Sequence, residues 1–192
     1  MKTSRLLLSF CFVITLATTC FADTFDEAVS LYVGADYPKA SVLFLELAEK
    51  GNFRAQHYLG KMYYSGEGVP KDLQLAIKWC KAAADQGSAD AQIDLAYMYL
   101  PHDYQSAAKW YSAAAKQGYV EAQIALGFLY GTGQGVPQNH ELAYAWLSVA
   151  EAKGANMRLG LKDFLVGEMT SDQIVKGQRV TEKFIKELNI NI

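Results

Sequence analysis

Apolar positions along this chain fall into a helical period again and again. Ala55, Leu59, Met62 and Tyr63 keep the i, i+4, i+7, i+8 spacing of an apolar stripe, as do Ala91, Leu95, Met98 and Tyr99, and Ala122, Leu126, Leu129 and Tyr130. Each stripe predicts one helix, and a second helix is predicted after each. Counting back eleven residues from Gly51, Gly87, Gly118 and Gly154 lands on Ala40, Ala76, Ala107 and Ala143. Four residues before those alanines stand Asp36, Asp72, Asp103 and Asn139, and three after them stand Leu43, Trp79, Trp110 and Trp146. An Asx side chain suits an N-cap because it accepts from an orphan amide, and glycine suits the left-handed position after the last turn.

The connections repeat as well. GEGVP at Gly66 to Pro70 and GQGVP at Gly133 to Pro137 join first to second helices. Their glycines permit positive φ, Val69 and Val136 plug the turn, and each proline precedes the next N-cap. Between Tyr99 and Asp103 only Leu100-Pro101-His102 stands in their place, so the period of 36 residues from Ala55 to Ala91 contracts to 31 from Ala91 to Ala122. A deletion that keeps both helices in phase marks a surface connection. Gly60, Ala96 and Gly127 put a small residue on every stripe, and Gly inside a helix costs about 1 kcal/mol against Ala. The recurrence predicts that a neighbouring helix or a tryptophan needs the space.

The fold expected is therefore all-α: an α/α solenoid of about four helical hairpins, with an incomplete first unit at 25–51 and further units at 55–87, 91–118 and 122–154. After Gly154 the repeat stops. Leu159, Leu161, Phe164 and Leu165 predict a shorter helix, and Thr170 to Gln173 offers a capping box for a last one. In that helix Ile174, Gly177, Val180, Phe184 and Leu188 share one face, which suits a C-terminal cap spanning 157–192.

The pattern A-x3-L-G-x-M-Y-x2-G-x-G-V-x2-D-x3-A-x2-W-x3-A-A-x2-G, complete in Ala55 to Gly87 and nearly so in Ala122 to Gly154, resembles the Sel-1-like repeat family, a relative of the tetratricopeptide repeats. The first unit, with LYVGADYPKA, looks closer to a tetratricopeptide hairpin and departs at Glu27, where the pattern wants an apolar residue. The resemblance implies adaptor work in assembling complexes, in a bacterial envelope or outside the cell.

Composition changes the picture at the N-terminus. Lys2 and Arg5 precede an apolar run of twelve residues, Leu6 to Ala17. That run falls short of the roughly 20 residues a spanning helix needs and matches a secretory signal peptide at 1–22. Ala22, with Cys20 two before it, gives a small-x-small site for cleavage after Ala22, so the repeat array is set at 23–156. A lipoprotein at Cys20 is the weaker alternative, since Thr19 sits where Gly, Ala or Ser is usual. The expectation is an exported protein, periplasmic or extracellular, with no stable membrane insertion after cleavage. The formal net charge of −2 becomes more negative without Lys2 and Arg5, which argues against nucleic acid as a partner. Of three cysteines, Cys11 and Cys20 lie in or beside the leader, leaving Cys80 without a disulfide partner. Phe44, Tyr111 and Leu147 share its phase, so it reads as a core residue.

No catalytic site, cofactor or metal site is expected. His57, His102 and His140 form no HExxH and no i, i+4 pair with another His or Cys, and the glycine turns lack the GK[ST] of a phosphate loop. Surface recognition remains. In tetratricopeptide-like arrays the first helix of each hairpin lines the concave face, and its positions map here onto His57, Lys61 and Tyr64, then Ile93, Tyr97 and Leu100, then Ile124 and Phe128, with Gly131 last. Apart from His57 and Lys61 this row is apolar or aromatic, which fits either a groove for a protein or peptide partner or packing between adjacent hairpins. The recurring Gln56, Gln92 and Gln123 precede it, to bond a partner backbone or to satisfy the seam between repeats. The resemblance also implies a competing enzyme reading: a cysteine-rich secreted branch of the family is associated with β-lactam binding and hydrolysis, a β-lactam- or peptidoglycan-related hydrolase, but carries paired cysteines in each repeat. A structural homodimer that buries the apolar strip is a third reading.

Overall fold

A computed structural model of the chain describes residues 24–155 and 160–189. The expected signal peptide, with Cys11 and Cys20, lies outside the described residues, as do Leu159 and the ends of the expected cap. The described residues are helical and contain no strand: α1 (24–33), α2 (Tyr37–Glu49), α3 (Phe53–Ser65), α4 (Leu73–Asp85), α5 (Ala89–Tyr99), α6 (Tyr104–Lys116), α7 (Val120–Thr132), α8 (His140–Ala152), α9 (Leu161–Gly167) and α10 (Ser171–Glu187). They divide into a unit up to Ala83 and a unit from Ala84.

In the first unit α2 packs on α3, and aromatic rings dominate the core. Phe44 is fully buried and stacks on Tyr58 with centroids 4.8 Å apart, while Phe25 meets both rings edge-on at 6.0 Å. Burying a ring of this size contributes on the order of 2 kcal/mol, and the edge-on geometry suits the ring quadrupoles. Glu27, where the repeat pattern wants an apolar residue, is exposed; Phe25 and Ala28 take the inward positions of α1 instead. Tyr32 ties α1 to the Gly-rich turn by donating its hydroxyl to Glu67 Oε2 at 2.8 Å.

In the second unit α6 packs on α5 and α7, and α8 packs on α7, α9 and α10. Buried alanines, among them Ala107, Ala114, Ala143 and Ala150, let these helices approach closely, with Trp110 and Trp146 filling the gaps. The final helix seats on α8 through Gly177, whose missing Cβ makes room for the Tyr144 ring, and through Phe184, whose ring lies 4.5 Å from Trp146. Its start carries the expected capping box: Gln173 N donates to Thr170 Oγ1 at 3.3 Å, and Thr170 N donates to Gln173 Oε1 at 2.9 Å. The expected shorter helix is present as α9, in which Leu165 is buried and Phe164 beside it is 72% exposed.

The small residues on the stripes prove to be spacers for the helix that follows. A Cβ at Gly60 would collide with Cys80 Sγ and stand 3.0 Å from the Cys80 amide nitrogen. A Cβ at Gly127 would come within 2.8 Å of Leu147 Cγ. Of the two expected claimants it is the neighbouring helix that needs the space, through Cys80 and Leu147, the residues after Trp79 and Trp146. The second glycine of each turn serves a different contact. At Gly68 (φ +72°) and Gly135 (φ +71°) a Cβ would overlap the backbone of Tyr37 and of Tyr104, the first residues of α2 and α6. Each turn therefore lies directly on the start of the previous second helix, closer than any side chain allows.

Helix ends follow the predicted grammar with one exception. Asp72, Asp103 and Asn139 each accept from the amide three residues on, at 2.9–3.0 Å. Asp36 makes no cap hydrogen bond; its carboxylate takes Lys39 Nζ at 2.6 Å, and that ion pair holds its carboxyl below the usual range. Gly51, Gly87, Gly118 and Gly154 all stand at positive φ.

Candidate functional site

Carbonyls in the last turn of the second helices decide the role of the glutamine row. Gln56 Nε2 donates to Ala48 O, Gln92 Nε2 to Ala84 O and Gln123 Nε2 to Ala115 O, at 3.1–3.2 Å. All three glutamines are buried. They satisfy the seam between one hairpin and the next, and so are not presented to a partner. A second layer is visible in the second unit. Gln117 Nε2 reaches Gly87 O at 3.1 Å and Gln92 Oε1 at 2.9 Å, while Lys153, in the equivalent position, reaches Gly118 O at 2.8 Å only. Gln123 Oε1, also buried, has no hydrogen-bond partner among the described residues.

The row of expected groove residues separates by unit. In the first unit His57 and Tyr64 are half-buried and Lys61 is exposed on α3, with Lys71 Nζ 5.7 Å over the Tyr64 ring. In the second unit Ile93 is buried and packs as core, Tyr97 is 57% exposed, and Leu100 and Ile124 are half-buried. Phe128 is 44% exposed.

Leu100, Ile124 and Phe128 come together on one wall of a cavity of about 690 Å³. Other lining residues were not anticipated: Tyr104 and Tyr111 from α6 and Leu161 from α9. A second cavity of about 320 Å³ also borders Phe128 and is lined by Gly127, Gly131, Leu147, Phe164 and Leu165 among others. Both cavities share Phe128 and Leu161, so together they form one apolar groove within the second unit.

The polar elements of the groove are few. Glu121 lines the larger cavity, and Glu168 and His140 line the smaller. The Tyr111 phenol is pushed up to about 12, chiefly by burial, then by the neighbouring charge of Glu121 and by Tyr97 and Asp94. It remains a neutral donor across the physiological range. Gln138 Nε2 is held by Gly131 O at 2.8 Å. Cys80 is buried against Gly60 and does not line the groove. An arrangement of aromatic rings around two apolar hollows, with carboxylates as the only charged groups, suits binding of apolar side chains.

Comparison with known proteins bears on the repeat itself. The Sel1 repeat matches residues 53–88, 89–119 and 120–154. A Sel1 repeat protein from Oxalobacter formigenes is 31% identical, covers 63% of this chain and 95% of its own, and superposes with a TM-score of 0.56. A protective antigen of uropathogenic Escherichia coli with the same repeat is 26% identical over 78% of this chain and 41% of its own, with a TM-score of 0.44. Among curated proteins, protein sel-1 homolog 2 of Mus musculus is 41% identical over 64 residues, 33% of this chain and 9% of its own length. A putative sel1-like repeat-containing protein of Acanthamoeba polyphaga mimivirus is 46% identical over 41 residues, 21% of this chain and 7% of its own. The chain thus spans less than a tenth of the length of these curated relatives. Three matched repeats in register, covering more than half of the sequence and coinciding with α3 to α8, place this all-α solenoid in the Sel1 repeat family.

Proposed function

We propose that this protein is an exported scaffold that binds a protein or peptide partner through exposed aromatic residues of its first helices, and that it performs no catalysis. The observation that carries the reading is the apolar groove of the second unit, in which Phe128 stands 44% exposed between two hollows while Tyr97 and Tyr104 present further aromatic surface. Aromatic side chains kept in contact with water forgo burial worth on the order of 2 kcal/mol each, and a sheltered cluster of them is the usual anchor of an interface. Sel1 repeats commonly serve as scaffolds for protein interaction, which favours the same reading. Export rests on the charged start and short apolar run of residues 1–22. The hydrolase reading is disfavoured because Cys80, the one cysteine among the described residues, is buried, whereas the branch associated with that chemistry carries paired cysteines in each repeat.

The test is affinity capture with the full chain from envelope and medium fractions, beside a Tyr97→Ala, Phe128→Ala variant verified as folded by circular dichroism. The expected outcome is a partner retained by the native chain and lost by the variant. Partners that survive the double substitution would move recognition to another surface. N-terminal sequencing of the exported form is expected to begin at Asp23; an intact Met1 would remove the export reading.

A further inference from the structure

The groove of the second unit has an electrostatic bias that the apolar residues alone do not require. Glu121 lines one hollow and Glu168 the other, and among the described residues no Lys or Arg lines either. Lys162, adjacent in sequence to the shared wall residue Leu161, is turned to other work: its Nζ lies 2.6 Å from Glu151 Oε2 and 4.9 Å over the Tyr144 ring. Asp94 adds negative charge beside Tyr111. A partner carrying its own carboxylates beside the anchors would be repelled, and a cationic one attracted.

The shape adds a second condition. Phe128 and Leu161 belong to both hollows, so the Phe128 ring stands as a ridge between them. Two anchors on either side of one ring lie roughly 5–7 Å apart, the separation of residues three to four apart on a helix or of alternate residues on an extended strand. One wall comes from α9, outside the repeats, through Leu161, Phe164 and Leu165. The pair of hollows is therefore particular to this end of the array.

We infer that the groove selects a short peptide segment bearing two bulky apolar residues that straddle Phe128, with a lysine or arginine beside them facing Glu121 and Glu168. The inference rests on the reading of this groove as the recognition surface and assigns its occupant: a cationic, amphipathic segment.

The experiment is selection of a displayed random twelve-residue peptide library on the full chain, followed by fluorescence anisotropy with the enriched peptides. Enrichment of two bulky apolar residues at those spacings together with Lys or Arg is the expected result. Phe128→Ala is expected to weaken the enriched peptides by at least about tenfold, as loss of a central anchor does. Glu121→Gln and Glu168→Gln are each expected to weaken them by about two- to fivefold, with the effect fading at high salt. Peptides that lose binding on Phe128→Ala but carry no cation, or are indifferent to both Glu→Gln changes, would overturn the charge inference while leaving the groove reading standing. Enriched peptides indifferent to Phe128→Ala, or no enrichment at all, would overturn both. Phe128 is partly exposed and both glutamates lie at the groove, so these variants are expected to keep the fold; circular dichroism checks that they do.

Discussion

Two single residues show how closely the hairpins are fitted. Gly60 sits mid-helix, where alanine would ordinarily gain about 1 kcal/mol, yet a Cβ there meets Cys80 Sγ and backbone atoms of Cys80 and Ala76. Overpacking of this kind costs about 1–3 kcal/mol, so Gly60→Ala is expected to destabilise. The same change in a Cys80→Ala background is expected to cost less, because the sulfur is gone. Chemical denaturation of the four proteins of that cycle measures the coupling, and a stabilising Gly60→Ala would show that the contact is not tight. Lys153 offers the opposite case. A glutamine in its place has the two donors needed for Gly118 O and for the unpartnered Gln123 Oε1, as Gln117 has for Gly87 O and Gln92 Oε1. Lys153→Gln is expected to stabilise the second unit by about 0.5–1 kcal/mol, seen as a higher denaturation midpoint with an unchanged slope.

At the scale of elements, the helices were legible because each is specified twice, by an apolar stripe and by its ends. Asp72, Asp103 and Asn139 cap as the spacing predicts. Asp36 occupies the same register but pairs with Lys39, a local competitor that position alone does not reveal. The consequence is measurable: Asp103→Ala is expected to lower the denaturation midpoint clearly, and Asp36→Ala, which loses chiefly an exposed ion pair, to lower it less. Equal losses at both sites would show that Asp36 caps after all. The turn glycines were legible as turns but not as contacts. That Gly68 and Gly135 are pressed against the backbones of Tyr37 and Tyr104 depends on how hairpins stack, and no local pattern encodes it. Gly60 and Gly127 were legible one step further: the small residue pointed to a neighbouring helix or a tryptophan, and the structure picks the helix, at Cys80 and Leu147.

The groove was half legible for a related reason. Leu100, Ile124 and Phe128 follow from the register of first helices, but Tyr104 and Tyr111 come from a second helix, and Leu161, Phe164 and Leu165 from a segment without repeats. Repeat register cannot announce residues that lie outside it. Ile93, in register with Ile124, is buried instead, since neighbouring helices cover it.

For the molecule as a whole, each unit holds one tyrosine that sets an alkaline limit. Tyr32 in the first unit is pushed up to about 12 by burial and by its bond to Glu67, and Tyr111 in the second to about 12 by burial and nearby carboxylates. Folding favours the neutral phenol in both. Their contribution is therefore complete below pH 10, where an unfolded tyrosine is still protonated, and is lost as pH climbs from 10 through 12. Tyr32→Phe is expected to cost about 1 kcal/mol at neutral pH through the lost hydrogen bond, yet to narrow the stability deficit against wild type as pH approaches 12. Tyr111→Phe, whose phenol is raised by burial and nearby charges rather than by a hydrogen bond, is expected to be near neutral at pH 8 and to gain on wild type as pH approaches 12. Denaturation curves at pH 8, 10 and 11.5 for the three proteins test this, and absorbance at 295 nm should lose its latest-titrating component in each variant. A deficit independent of pH would mean that neither phenol is held neutral by its surroundings, and that the alkaline limit of the fold lies with other groups.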